Sequence, residues 1–473
     1  MNDGRLSSHR SRAKRQRAIL LGIVALAIIA RAGVGIATHT WRIPRSDDHW
    51  AFGFELGRIA GSLADGDGYS YPTDPPKPTA WMPPVYPLVL AGIFRVFGPF
   101  SSESALGIEI LQTIASALSC AMLFFIGRRL YGPAVGFLSA FMLALYPASV
   151  HFAVQKIWST SLTSLAILLL VYFVSRMINR PTTRLGIVVG IVLGIGALTD
   201  PLTLSIAPPV VILLLRSWRK RNIAGVKSLT VSLLIFSVVM APWMIRNYVT
   251  FGAFVPVKSN FGHELFLGNH GHANGVLPPE VVGIERQFRG LEGLLPAAML
   301  SGAEEQYLTS LNEVDQNRFL FRRAARSIAD DPIRFVELSM IRFLRFWTAL
   351  SRPYEFSNYV SYVAYFLVLL LAFGGTIVAL RERLPLAPIL IIVVFYPIAH
   401  YITIVGLYRY RYPVEPVLMV LAAVAVSRLP WLVGWRVAPW NADGMPAAGD
   451  EDRMEVPYGK SGGVEVDLGG TGK

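Results

Sequence analysis

Long apolar stretches recur along the chain, and they constrain its fold more than any other feature of the sequence. Several extend for about 18 residues or more without a charge, and a helix of that length crosses about 30 Å of hydrocarbon. Composition agrees, because 53% of the residues are hydrophobic and only 16% are charged. A transmembrane β-barrel would instead alternate apolar and polar residues in segments of about ten. The sequence therefore predicts an all-α polytopic membrane protein.

The excess of positive charge indicates orientation in a membrane. The formal net charge is +13, but the arginines and lysines cluster beside the apolar stretches, where orientation signals lie. We therefore predict membrane lipids, and no nucleic acid, as partners. The single cysteine, Cys120, lies in an apolar stretch, which argues against a disulfide framework and a cysteine metal site.

The basic loops also determine the predicted topology. Residues 1–17 are basic, which favours a cytoplasmic N-terminus. Val85–Phe97 is too short to cross the membrane, so we predict a helix that lies in the interface. With about ten spans every basic loop is cytoplasmic, which predicts a multi-pass plasma (inner) membrane protein with both termini inside. The predicted spans cover 18–38, 105–126, 134–150, 162–174, two short spans within 185–215, 229–243, 362–380, 386–403 and 414–426.

Three regions follow from this topology. A basic N-terminus (1–17) precedes a transmembrane domain (18–428), and a cytoplasmic, mostly disordered tail follows it (429–473). The transmembrane domain carries a first external loop with interfacial helices (39–104) and a small extracytoplasmic cap (247–358). The tail is Gly-rich and acidic, a composition typical of disorder. No internal repeat is visible, which weighs against a secondary transporter built from duplicated halves.

Acidic residues in the first loop are the candidates for catalysis. If residues 47–63 are helical, Asp48, Phe52, Glu55 and Ile59 share one face. A carboxylate there can act as general base, which contributes about 10²–10⁴-fold in rate. The alternative is structural, because Ser46, Asp47 or Asp48 stands where a helix N-cap is expected. The candidate bases are Asp47, Asp48 and Glu55.

Two further polar groups lie at predicted outer ends of spans. Arg246 and Asn247 end the seventh span, and Arg409 and Arg411 precede the last. Outer arginines run against the positive-inside bias, so we predict phosphate binding; the alternative is interfacial anchoring beside Trp and Tyr. Glu415 stands close enough to neutralise one arginine. The loop after the seventh span offers hydrogen-bonding groups for a sugar or acceptor: Lys258, Asn260, Glu264, Asn269 and His270.

Neither a metal nor a cofactor is indicated. His263, His270 and His272 match no strong ligand spacing. Asp200 precedes a proline at a helix break, where capping the following span is the preferred interpretation.

Three segments together resemble a known family: PTAWMPPVYPLVLAGIFRVFG, APWMIRNYVTFGAFVPVKSN and RYRYPVEPVLMVLAA. In order, spacing and topology they resemble the GT-C superfamily of membrane glycosyltransferases, in the branch of protein O-mannosyltransferases and lipid A aminoarabinose transferases. The resemblance covers roughly residues 18–428. It implies inverting transfer of a sugar from a polyprenyl-phosphate donor to an acceptor hydroxyl on the extracytoplasmic face.

The resemblance also implies roles for individual residues. The base falls among Asp47, Asp48 and Glu55, with Asp48 preferred. Lys77, Trp81 and Tyr86 match the segment near the lipid phosphate, and Arg246, Asn247, Arg409 and Arg411 match the other polar positions. Gln155, Lys156, Trp158 and Ser159 stand where relatives often carry a second acid.

Two other functions stay open. A transporter or lipid flippase would place acids or broken helices at the membrane midplane, whereas these polar groups lie at the predicted outer surface. A membrane scaffold would explain the spans but not the polar groups. The sugar, the acceptor and the prenyl chain are not indicated by any residue.

Overall fold

The computed structural model describes residues 2–42, 52–72, 75–275, 299–348, 359–403 and 408–429. Within these ranges almost all regular structure is helical, which confirms the predicted all-α class. The described β structure is one antiparallel pair, β1 (Ser70–Tyr71) and β2 (Lys77–Pro78), with Ser70 opposite Pro78. The predicted tail, except for its first residue, and the predicted bases Asp47 and Asp48 lie outside the described residues.

The helices, in chain order, are α1 (Asn2–Thr38), α2 (Glu55–Asp65), α3 (Val85–Phe97), α4 (Ser102–Tyr131), α5 (Pro133–Leu145), α6 (Pro147–Val154), α7 (Thr160–Asn179), α8 (Thr183–Thr199), α9 (Ala207–Arg221), α10 (Val226–Phe251), α11 (Phe261–Asn269), α12 (Gly302–Thr309), α13 (Glu313–Asp330), α14 (Pro332–Thr348), α15 (Tyr359–Arg381), α16 (Ala387–Phe395), α17 (Ile398–Ile402) and α18 (Glu415–Val426). Short 3₁₀ helices cover Pro201–Ile206, Tyr408–Tyr410 and Tyr412–Val414.

Long apolar helices make this a multi-pass membrane protein. In the described part of the chain six helices are long and apolar enough to cross a membrane, and the pair α5–α6, bent by 53°, makes up to seven. Four shorter apolar helices are also present, among them α3 with 13 residues. The predicted count of ten spans is not confirmed and stays a prediction. The six helices are Ala13–Thr38, Ser102–Tyr131, Thr160–Asn179, Pro201–Arg221, Val226–Phe251 and Val360–Arg381.

A buried arginine that the sequence analysis overlooked explains how the bend between α5 and α6 is tolerated. Pro147 has no N–H, so the carbonyl of Leu143 loses its usual helical donor. Arg31, fully buried in α1, donates to the carbonyl oxygens of Leu143 (3.3 Å) and Ala144 (3.0 Å). It also donates to Ala27 O, Ser116 Oγ and Ser149 Oγ. Each N–H of the guanidinium can therefore be satisfied, which makes its position inside the bundle tolerable.

Small residues allow α8 and α10 to pack closely. Gly186 and Gly190, one turn apart on α8, meet the backbone carbonyls of Ser228 and Ser232 on α10, and a Cβ at either glycine would clash with them. Such small-xxx-small faces let transmembrane helices approach. The C-terminal ends of α8 and α10 contribute to a hydrophobic cluster that also includes parts of the first loop.

The helices α11–α14, which we call the cap, stand at the end of the bundle from which the first loop also extends; we call this end the cap side. The interior of the cap consists of apolar side chains from α11, α12 and α13, with Leu265, Phe266 and Leu320 among them. Val314 of α13 joins the hydrophobic cluster under the first loop. The cap is therefore packed onto the bundle. The predicted domain bounds stay predictions.

Candidate functional site

Four charged side chains from four separate segments meet on the cap side. Glu55 begins α2, Lys258 lies in the loop after α10, Glu264 lies in α11, and Arg409 lies in the 3₁₀ turn before α18. Each is half-buried. Glu55, Lys258 and Glu264 make no direct ion pair with any other residue that the structure describes. We call these four residues the charge cluster.

The pKa shifts of Glu55, Lys258 and Glu264 reflect the charges of the cluster. Burial raises the pKa of the Glu55 carboxyl, and the positive charges of Arg409 and Lys258 oppose that increase. Burial also raises the pKa of Glu264, against the opposing effect of the same two cations. Burial lowers the pKa of the Lys258 ammonium, whereas nearby carboxylates, Glu264 first, raise it. Two carboxylates and two cations therefore lie within electrostatic range of one another.

Local backbone geometry positions Glu55. Gly53 has φ +77° and Phe54 has φ +44°, and a Cβ on Gly53 would clash with the carbonyl oxygen of Ile157. This tight turn starts α2 at Glu55, so the carboxylate lies at the positive end of a helix. The condition of a helix over 47–63 is therefore not met at Phe52, which lies before α2 because the turn interrupts the helix. Phe52 instead packs edge-to-face on Phe94 at 5.6 Å.

Aromatic rings hold Arg409 in place. Its Cζ lies 3.6 Å from the centroid of the Trp158 ring and 5.3 Å from that of Tyr410. Tyr410 in turn stacks on His400, with ring centroids 4.5 Å apart. Trp158 belongs to the loop between α6 and α7. The tryptophan orients a cation at this position, since cation–π contacts favour a guanidinium over an indole face.

Arg246 and Asn247 bind backbone rather than the cluster. Arg246 donates to the carbonyl oxygens of Thr79 (2.6 Å) and Tyr69 (2.7 Å), and its guanidinium lies over the Trp243 ring at 5.1 Å. Asn247, fully buried, donates to the carbonyl of Val255 (3.0 Å). These two predicted phosphate ligands thus tie the first loop and the following loop to the end of α10.

Glu313 is a residue that the sequence analysis did not consider. Its carboxylate accepts hydrogen bonds from Thr79 Oγ1 (2.5 Å), from the Ala80 N–H (2.8 Å) and from Ser259 Oγ. Burial raises the pKa of this carboxyl, and the hydrogen bonds oppose the increase. Through Glu313 the cap holds both loops that border the cluster, because Ser259 is adjacent to Lys258. No sequence signal marks this residue, since its partners are more than fifty positions away.

Arg411 lies in the protein interior, away from the cluster. Its Nε lies 2.7 Å from Glu415 Oε1, and its guanidinium lies 3.5 Å from the Tyr365 ring centroid. Tyr146 donates its hydroxyl to Glu415 at 2.7 Å. Glu415 therefore neutralises Arg411, as one of the two interpretations predicted.

The remaining predicted phosphate residues are dispersed. Lys77 is exposed on β2. Trp81 is buried, and its ring meets that of His263 edge-to-face at 5.0 Å. Tyr86 is buried and donates its hydroxyl to Gln112 Oε1 at 3.0 Å. Tyr86 thereby joins α3 to α4, and its role in donor binding stays a prediction.

Of the predicted sugar residues, some lie at the charge cluster and others make structural contacts elsewhere. Asn260 donates to Glu264 Oε1 at 3.3 Å and thus lies beside the charge cluster. Asn269 donates to the carbonyls of Leu265 and Ile402, and it accepts from buried Arg342 at 3.0 Å. Burial lowers the pKa of His270 to about 4, and its Nδ1 accepts from the His272 N–H. Asn269 therefore stabilises the end of α11.

Asp200 has the capping role that was predicted. Its Oδ1 accepts from the Leu202 N–H at 3.0 Å, and its Oδ2 accepts from the Tyr396 hydroxyl at 2.8 Å. In the part of the chain that the structure describes, no group of three or more His, Cys, Asp or Glu side chains is placed to hold a metal ion.

Comparisons with known proteins agree on the fold. Archaeal oligosaccharyltransferase AglB from Archaeoglobus fulgidus, in complex with an inhibitory peptide and a dolichol-phosphate, superposes with a TM-score of 0.53 at 13% identity, covering 88% of this chain and 50% of that chain. The same enzyme tethered to an acceptor peptide gives 0.54 at 14% identity, covering 92% and 52%. The chain thus spans about half the length of that oligosaccharyltransferase. A search of curated protein sequences found no match.

A third structure is more distant. ArnT from Cupriavidus metallidurans bound to undecaprenyl phosphate has a TM-score of 0.37 at 16% identity, covering 84% of this chain and 77% of that chain. At that score the two structures are too different for positions to be compared.

The fold is similar to that of the archaeal oligosaccharyltransferase, and it agrees with the predicted resemblance to the GT-C class of membrane glycosyltransferases. Within that class, residues 82–245 match the family model described as dolichyl-phosphate-mannose-protein mannosyltransferase. The matched range begins beside Trp81 and ends at Ile245, so it includes α3–α9 and most of α10 but none of the charge cluster.

Proposed function

We propose that this chain is an integral-membrane glycosyltransferase that moves a sugar from a polyprenyl-phosphate donor to an acceptor hydroxyl on the extracytoplasmic face. The charge cluster carries the proposal, because it combines a carboxylate of raised pKa with two cations at one place in a GT-C fold. The oligosaccharyltransferase of similar fold is described with a dolichol-phosphate, which supports a lipid-phosphate donor. The acceptor class stays open.

The proposed reaction is a single displacement with inversion. A first-loop carboxylate removes the proton of the acceptor hydroxyl, and the acceptor oxygen attacks the anomeric carbon. The bond between that carbon and the phosphate oxygen breaks, and its electron pair stays on the departing lipid phosphate. Arg409 and Lys258 stabilise the developing phosphate charge, an electrostatic contribution worth about 10²–10³-fold for each donor.

Glu55 is the base that the geometry supports best. Its pKa lies above the ordinary value because burial disfavours its charge, and a general base is most effective when its pKa approaches the working pH. Asp47 and Asp48 remain candidates on the sequence argument. Asn260 and Glu264 follow Lys258 in the chain, and we assign them to the sugar or the acceptor.

Transfer assays in proteoliposomes test this proposal. Purified protein is given polyprenyl-phosphate sugars and candidate acceptors, and glycosylated product is measured for the wild type and for Glu55→Gln, Asp47→Asn and Asp48→Asn. We expect Glu55→Gln to reduce the rate by about 10²–10⁴-fold. Asp65→Asn is the matched control, since Asp65 is exposed at the other end of α2.

Two outcomes would contradict the proposal. If all three carboxylate variants keep full transfer, no first-loop acid is the base. If the protein moves a labelled sugar or lipid across the vesicle membrane without forming product, the transporter or flippase alternative is correct.

A further inference from the structure

The helix α14 exposes a wide apolar face. Ile333, Val336, Met340 and Leu344 have 73, 62, 56 and 51% of their surface exposed, and neighbouring Phe343 has 42%. Their spacing of i, i+3, i+7 and i+11 places them on one side of a helix. The charged residue on this side is exposed Glu337, and an exposed apolar helix face normally marks an interaction surface. We call these five residues the α14 apolar face.

The opposite side of α14 is firmly attached to the protein. Leu338, Arg342 and Phe346 are buried there. Arg342 donates to the carbonyls of Gly268, Tyr401 and Ile402, which joins α14 to the end of α11 and to α17. The apolar face is therefore a stable surface of an ordered helix.

Hydrogen bonds place one end of α14 beside a candidate span. Tyr362 donates its hydroxyl to the carbonyl of Thr348 at 3.0 Å, and Tyr365 donates to that of Trp347 at 2.8 Å. Both tyrosines lie in the first two turns of Val360–Arg381. Trp347 also donates its indole N–H to the Tyr401 hydroxyl at 2.8 Å. Tryptophan and tyrosine are enriched at the depth where a membrane meets water.

We propose that α14 lies in the membrane interface on the cap side, with the α14 apolar face in contact with lipid acyl chains. The apolar face is continuous with a lipid-facing surface, because Val363, Leu367 and Leu370 of the adjoining span are exposed as well. An amphipathic helix of this kind lies in the plane of the interface with its apolar side about 5–10 Å deep. The partner is the bilayer itself.

The lipid contact has a structural consequence for the charge cluster. Arg342 connects α14 to Gly268 and Asn269, the last residues of α11, and the same helix carries Glu264. Seating α14 in the interface therefore fixes the distance of that carboxylate from the membrane surface. The inference itself depends on the fold alone and not on the proposed chemistry.

Spin labels in liposomes test the inference directly. Labels at Val336→Cys and Met340→Cys are compared with one at Arg322→Cys, an exposed position on α13. Native Cys120 is fully buried and can remain, and the unlabelled parent protein checks that it does not react. Collision rates with oxygen, which concentrates in lipid, and with a water-soluble nickel chelate are measured at each site.

We expect the labels at 336 and 340 to meet oxygen about five-fold more often than the label at 322, and the nickel chelate correspondingly less often, because the lipid-facing positions of an interfacial helix exclude water. Equal access of the nickel chelate at all three sites would show that the face lies in water. Exclusion of both reagents at 336 and 340 would show that protein covers the α14 apolar face. Spin–spin broadening would then identify that protein as a second copy of this chain. Either result overturns the inference.

Discussion

Two arginines only two positions apart, Arg409 and Arg411, have opposite surroundings. Arg411 and Glu415 are almost fully buried and paired at 2.7 Å. Arg409 is half-buried on an indole ring, in a cluster whose Glu55, Lys258 and Glu264 make no direct ion pair among the described residues. Arg411 and Glu415 form a buried structural pair, whereas the charge cluster is the proposed ligand site. Separate substitutions at the two arginines test this distinction.

The largest difference is expected between Arg411→Ala and Arg409→Ala. Removing Arg411 leaves Glu415 buried without its cation, which costs about 3–5 kcal/mol of folding free energy. Removing Arg409, which is half-buried over the Trp158 ring, costs about 0.5–2 kcal/mol, the range of cation–π contacts, but lowers transfer by about 10²–10³-fold if it stabilises the departing phosphate.

Thermal unfolding in detergent and transfer rates at saturating donor measure the two effects. Substituting Arg411 by Met, which keeps most of the volume, distinguishes lost charge from lost packing. Similar stability losses for Arg409→Ala and Arg411→Ala would remove the distinction between the two regions.

A smaller effect is expected at Glu313, which joins the cap to the borders of the cluster. Glu313→Gln keeps one acceptor oxygen but cannot satisfy all of the donors from Thr79, Ala80 and Ser259, so we expect a loss of about 1–3 kcal/mol. Glu304→Gln is the matched control, because the ion pair of Glu304 with Arg323 is exposed and is worth about 0–1 kcal/mol. Equal losses in the two variants, measured by thermal unfolding, would show that Glu313 has no special structural role.

The smallest expected effect is a shift in the pH dependence of transfer. If Glu55 is the base, it must be ionised, so kcat/KM falls as the pH decreases through its pKa. Burial raises that pKa above its ordinary value and Arg409 opposes the increase. Arg409→Ala should therefore move the acidic limb to higher pH. A limb that stays in place, in profiles corrected for stability, would show that Glu55 does not titrate in this limb.

Some parts of the fold were predictable because they depend on neighbouring residues. Val85–Phe97 is a helix with the bounds that the sequence predicted, since prolines precede it and Gly98 follows it. The break at Asp200–Pro201 follows from a proline and a capping acid in adjacent positions. The start of α2 was not predictable, because the turn at Gly53 and Phe54 is required by contact with the carbonyl of Ile157, about a hundred residues away.

The members of the charge cluster could also be predicted, although the sequence did not separate them from residues with structural contacts. Glu55, Lys258, Glu264 and Arg409 were each named from their chemistry and their place beside a span. Arg246, Asn269 and Arg411 were also named as polar side chains beside a span. In the structure they bind Tyr69, Ile402 and Glu415, respectively. A polar side chain beside a span thus indicates a location, and its partner decides its role.

The sequence by itself determined the membrane-spanning helical class, the resemblance to GT-C enzymes and the side of the bundle that carries polar groups. These properties depend on hydrophobicity and on short segments, that is, on residues close to one another in the sequence. Only the tertiary structure decided which charged side chains form buried pairs and which come together in the charge cluster. That choice depends on contacts between distant residues, as when Glu313 binds Thr79, 234 positions away.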